Sequence, residues 1–112
     1  MPNNPPADPS NPPNGKYNST CGTDFSSWDG SFTYTDGTIV YTLKGQTTPL
    51  PSTTNSSNGN AIVFSITYAN QTVKFNGPTF KYKGPNNKAE YSGRCHREGP
   101  ADDLDGWTAT QE

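Results

Sequence analysis

The chain has 112 residues and a mass of 12.1 kDa, which is room for one domain. Only 28% of residues are apolar and 16% are charged, so most of the polarity comes from uncharged Asn, Ser and Thr. That balance excludes a coiled coil and a highly charged disordered chain. The longest apolar run, Ala61 to Phe64, is far too short for a membrane span, and a net charge of −2 argues against binding nucleic acid by neutralising phosphates.

Residues 1–20 hold six of the 11 prolines and five asparagines, with Met1, Ala7 and Tyr17 as their apolar content. Such a segment cannot fund a core and is expected to be a disordered spacer ahead of an all-β domain over 21–112. Met1 running straight into Pro-Asn-Asn-Pro-Pro is expected of a chain whose export signal or anchor lay upstream. The two cysteines, Cys21 and Cys95, have no C-x-x-C spacing, and in a small polar chain their simplest use is one long-range disulfide. Closing a loop of about 75 residues would contribute roughly 4.5 kcal/mol on the chain-entropy estimate. Together these features predict a secreted, periplasmic or cell-surface protein.

From Ser27 to Thr35, Trp28, Gly30, Phe32 and Tyr34 alternate with polar residues, the period of a strand with one buried face. Asp36-Gly37 follows, the dipeptide suited to a two-residue type I′ hairpin turn, and Ile39, Tyr41 and Leu43 alternate on the return. Such a turn pairs Tyr34 with Ile39, Phe32 with Tyr41, Gly30 with Leu43 and, outside, Asp29 with Lys44. Residues 46–60 contain seven Ser or Thr and the single apolar Leu50, and read as a long structureless loop. A second hairpin runs through Ile62, Phe64, Ile66 and Tyr68, turns at Asn70-Gln71 and returns through Val73 and Phe75. Asn76-Gly77-Pro78 predicts a bend, after which Phe80 and Tyr82 alternate, 89–97 forms a strand, and a last short strand near 106–110 carries Trp107. The expected fold is a small antiparallel meander of about seven short strands, closed as a barrel or folded as a sandwich.

Three groupings could carry chemistry. Glu90, Arg94, His96 and Glu98 fall on one face of the 89–97 strand and offer the acid, base and charge clamp of a metal-free nuclease-like hydrolase. Side chains two apart on one strand point in parallel, however, and a solvated strand face explains the same pattern. Asp102, Asp103 and Asp105 beside Gly106 resemble half of a calcium loop, without the bidentate Glu such a loop needs. Trp28 and Trp107 lie near strand ends beside Asp29 and Asp105, where indole faces and carboxylates suit a sugar ring and its hydroxyls.

The order Cys21, Trp28-Asp-Gly-Ser, hairpins, Tyr-Ser-Gly-Arg-Cys95 and a terminal Trp107 strand resembles avidin-type barrels at the two ends of the chain, not in the middle. The polar and tryptophan set that holds biotin in that family has no counterpart here. The layout is also similar to small bacterial lipoproteins with a Cys-linked meander barrel, some of which inhibit lysozymes. The reading that combines these signals is a non-catalytic binding module recognising carbohydrate or a partner-protein surface. Trp28, Asp29, Trp107 and Asp105 are its sugar-site candidates, and loop 46–60 with the outer threonines is its protein-facing candidate. The alternatives are the hydrolase, and a structural, adhesion or inhibitor protein.

Overall fold

A computed structural model describes residues 12–55, 61–98 and 104–112. Nine strands follow in chain order: β1 (Gly15–Cys21), β2 (Gly30–Thr35), β3 (Thr38–Leu43), β4 (Leu50–Pro51), β5 (Thr54–Asn55), β6 (Ile62–Tyr68), β7 (Gln71–Lys83), β8 (Lys88–Arg97) and β9 (Leu104–Gln111). A 3-10 helix, Thr23–Trp28, follows β1, the one helix among the described residues. All pairings are antiparallel, in the order β4-β3-β2-β1-β9-β8-β7-β6-β5, so the first strand lies against the last.

The segment 50–55 joins the two ends of that order. Val40 of β3 pairs with Pro51, and Ser65 of β6 pairs with Thr54. Between them the Ser52 N–H donates to the Ile39 carbonyl at 3.0 Å and the Thr53 N–H to the Ser65 carbonyl at 2.8 Å. β4 and β5 thus act as one kinked stave between β3 and β6, and the meander nearly closes into an eight-stave barrel. Closure removes the unpaired edges that an open sheet of this composition would expose.

The β2–β3 hairpin has the expected register, with Tyr34 opposite Ile39, Phe32 opposite Tyr41 and Gly30 opposite Leu43. Asp36 and Gly37 both take positive φ (49° and 92°), as a type I′ turn requires. The alternation expected from Ser27 begins as strand only at Gly30, because 23–28 winds into the 3-10 helix. Phe25 and Trp28, three residues apart, fall on one side of it and are both buried.

The β6–β7 hairpin turns one residue earlier than its sequence suggests, which moves the cross-strand pairing by two. Tyr68 pairs with Gln71 and Ile66 with Val73, with Ala69 and Asn70 in the turn at φ 53° and 65°. A shift of two keeps every side chain on its face, so the inward set is unchanged. Gly77-Pro78 does not break the chain; β7 runs on to Lys83 with a register irregularity between Asn76 and Thr79 against β8.

Two further expectations are corrected. The spacer does not extend to residue 20, since Gly15–Cys21 is strand β1, paired on both sides; residues 1–11 lie outside those described. Loop 46–60 is not structureless where described, because β4 and β5 close the barrel; 56–60 lie outside the described residues.

The barrel interior is full. Tyr17, Phe32, Tyr41, Phe64, Phe75, Tyr91 and Trp107 are each 2% exposed or less. Their rings pack in a continuous column, Tyr17 to Phe32 at 5.0 Å, Phe32 to Phe64 at 5.0 Å, Phe64 to Phe75 at 5.1 Å and Phe75 to Trp107 at 5.4 Å between centroids. Each such pair adds about 0.5–1.5 kcal/mol beyond its area burial. This is how a chain with few aliphatics builds a core. Eight staves leave an interior just wide enough for side chains, and here aromatic rings occupy it.

Candidate functional site

One polar chain threads this core. Tyr41 Oη lies 2.6 Å from the Trp28 carbonyl and 2.7 Å from Ser19 Oγ, and Trp107 Nε1 donates to the same Ser19 Oγ at 2.7 Å. The carbonyl can only accept, so it takes the one tyrosine proton; the Ser19 hydroxyl then donates to Tyr41. The order is Trp107 N–H to Ser19 O–H to Tyr41 O–H to Trp28 carbonyl. Burial holds the Tyr41 hydroxyl well above the usual phenol range, although the Ser19 bond pulls it back.

That network fixes the place of both tryptophans. Trp107 is 2% exposed and Trp28 6%, so neither offers the open ring face that a sugar would need. The two aspartates beside them bind the backbone. Asp29 Oδ1 accepts the Cys21 N–H at 2.6 Å, while Asp105 accepts the Asp24 N–H at 3.0 Å and its neighbour's Gly106 N–H at 2.9 Å. Trp28, Asp29, Trp107 and Asp105 therefore do come together at one barrel end, but as its closure. The 3-10 helix is the plug, with Phe25 inward and the Arg97 guanidinium 5.3 Å from the centre of its ring.

Cys21 and Cys95 are thiols in this structure, not the expected disulfide. They sit on β1 and β8, with β9 between them; Cys21 is opposite Trp107 and Cys95 opposite Asp105. The side chains meet as a hydrogen-bonded pair. Accepting the Cys21 S–H lowers the Cys95 thiol, and donating it, together with burial and the Asp29 and Asp105 carboxylates, raises Cys21 strongly.

The expected catalytic face does not converge. Glu90 is buried and ion-paired with Lys81 (3.2 Å) and Lys83 (3.3 Å), with Thr110 donating to it at 3.2 Å. Glu98, at the far end of the strand, accepts from Ser65 at 2.9 Å, and His96 Nδ1 lies 3.1 Å from the Arg97 carbonyl. Arg94 pairs in register with Asn76 and is exposed. Of the calcium candidates, Asp102 and Asp103 lie outside the described residues. Among the described residues no group of three His, Cys, Asp or Glu could hold a metal ion, and no helix is long and apolar enough to cross a membrane.

What the sequence did not single out lies at the rim of the plugged end. The Ala69-Asn70 turn holds Tyr68 and Gln71 opposite each other on the inward side of the last β6–β7 rung, beyond the core layer. Tyr68 is 38% exposed, the one exposed aromatic among the described residues. Together with Gln46, Lys44, Ser27 and the buried edge of Trp28 it lines a cleft of about 440 Å³. Among the described residues its polar side-chain groups are the Gln46 and Gln71 amides, the Ser27 and Tyr68 hydroxyls and the Lys44 ammonium, with no carboxylate. The signal for it was present in the turn: a two-residue type I′ turn at 69–70 would have carried Tyr68 past the core and out to the mouth.

No family model matches the chain, and no curated protein or solved structure shows a significant match to it. The reading of the site therefore stands on its geometry.

Proposed function

We propose that this protein is a non-catalytic carbohydrate-binding module, displayed outside the cytoplasm, whose ligand sits in the mouth cleft beside Tyr68. The observation that carries this reading is the exposed Tyr68 ring held next to Gln71 and Gln46 at a barrel end whose interior is already full. A flat ring can cover the C–H face of a pyranose while amides on either side bond its hydroxyls. A strained turn supports the same place: Ala69 adopts φ 53°, a conformation that costs a residue with a Cβ about 1–2 kcal/mol. Strain of this kind collects where a side chain must be held in one position.

The experiment is a glycan array read with the wild-type protein and with Tyr68→Ala, each with calcium and with chelator. Binding that Tyr68→Ala reduces at least tenfold without lowering Tm supports the mouth site. Binding that survives Tyr68→Ala unchanged moves the site elsewhere, and a blank array for the wild type sinks the carbohydrate reading. Loss of binding in chelator alone would instead bring the acidic segment 102–105 forward.

A further inference from the structure

The mouth cleft does not end at the rim. A second depression of about 470 Å³ on the outer wall is lined by Lys16, Asn18, Ser31 and Thr42, and it shares Leu43, Lys44 and Gln46 with the mouth cleft. The strand register explains why it is a furrow. Thr42 of β3 lies opposite Ser31 of β2, and Ser31 opposite Asn18 of β1, so two hydroxyls and an amide stand in one row across three strands. Neighbouring strands are 4.7–4.9 Å apart, and the row spans about 10 Å of wall. Thr42 and Lys44 are two residues apart on the same outer face, and so the row meets the rim at Lys44.

The charges along this path are few. The carboxylate bordering it, Asp29, is bound to the Cys21 N–H, and Lys16 at the far end is paired with Glu112 at 3.6 Å. What remains for a ligand is hydroxyl and amide chemistry, with the Lys44 ammonium where the row meets the rim, along a line longer than one sugar ring. We infer that the mouth and the outer row form a single track for an extended chain of β-linked hexopyranose units, one ring against Tyr68 and the following rings along Thr42, Ser31 and Asn18. Equatorial linkages extend as a ribbon that can follow a sheet wall, whereas axial ones coil away from it. This inference rests on the carbohydrate reading above and adds the length and linkage of the ligand.

The test is calorimetric titration with two ladders, β-1,4-linked glucose and β-1,4-linked N-acetylglucosamine, each of one to six units. On one ladder the affinity should rise at least tenfold between the monomer and the tetramer and then level off. The double variant Ser31→Ala/Thr42→Val should weaken the hexamer at least fivefold and leave the monomer unchanged, whereas Tyr68→Ala should weaken both. Asn18→Ala, at an exposed position, provides the same contrast should the double variant lose Tm. Affinity independent of chain length overturns the track while leaving the mouth site in place. A hexamer indifferent to the outer-row variants does the same. If neither ladder binds, the track is refuted; whether the carbohydrate reading survives is then decided by the array, where a hit on another sugar keeps it and a blank removes it.

Discussion

Replacing Ser19 by alanine tests the polar chain in the core. Ser19 is 2% exposed and is, among the described residues, the sole acceptor seen for the Trp107 indole N–H and the second partner of the Tyr41 hydroxyl. Alanine leaves the indole donor buried without an acceptor, a penalty of about 1–3 kcal/mol, and removes one further bond worth about 0.5–1.5 kcal/mol. The expected loss is therefore about 2–4 kcal/mol, a large part of the 5–15 kcal/mol typical of a small domain. In urea denaturation this lowers the midpoint with the slope unchanged. In a thermal scan it lowers Tm by roughly 10–25 °C for a domain of this size. Trp107→Phe gives the control, because phenylalanine has no N–H to orphan. In that background Ser19→Ala should cost about 1–2 kcal/mol less than in the wild type. A loss below about 0.5 kcal/mol, or strict additivity of the two changes, would refute the proton order drawn for the core.

Three further outcomes follow from single positions. Ala69→Gly relieves the left-handed turn residue and should stabilise by about 0.5–1 kcal/mol after the entropy of the added glycine, read as a higher urea midpoint. Gly93→Ala should destabilise by about 2–3 kcal/mol or more, because its Cβ would fall 2.0 Å from the Asn76 carbonyl oxygen; Gly106→Ala, with nothing within 4 Å, should be close to neutral. Glu90 is buried, which alone would raise its carboxyl, but hydrogen-bonded pairing with Lys81 and Lys83 outweighs burial and holds it below the ordinary value. Its contribution is thus present above the unfolded carboxylate range and lost as pH falls through the lowered folded value. Glu90→Gln should flatten the acid side of the stability curve, measured as urea midpoints from pH 7 to 3, and an unchanged acid slope would contradict the pairing.

How much of this could be read from the sequence depended on whether the determinant was local. The β2–β3 hairpin was legible because alternation and the Asp36-Gly37 turn both act within a dozen residues and agree. β1 was not, because its inward residues are Tyr17, Ser19 and Cys21; Ser19 is a core residue only by virtue of Trp107 and Tyr41, which are distant in sequence. β4 and β5 offered Leu50 alone, and their strand character comes from the two edges they bridge. The burial of the two tryptophans was hidden for a related reason. An aromatic near a strand end looks the same whether it caps the core or faces water, and here the 3-10 helix turned Phe25 and Trp28 inward together. Tyr68 was hidden by a turn read one residue late.

A barrel of eight staves has one interior to allot, and side chains or a ligand can have it. In this chain the column from Tyr17 to Trp107 occupies it, and the 3-10 helix seals one end with Phe25 and Trp28. Admitting a ligand would mean withdrawing rings such as Phe64 or Phe75, each costing about 3–5 kcal/mol to remove, which a domain of ordinary stability cannot spare. The recognition proposed above is therefore confined to the rim and outer wall, where hydroxyls and amides outnumber the charged Lys16, Asp29 and Lys44. The consequence is a separation of roles. Ser19, Tyr41 and Trp107 should govern stability with no direct part in binding, while Tyr68, Ser31 and Thr42 should govern binding with little effect on stability. A single variant that moved both strongly would show that the mouth and the core are not independent, and would return the ligand to the barrel axis.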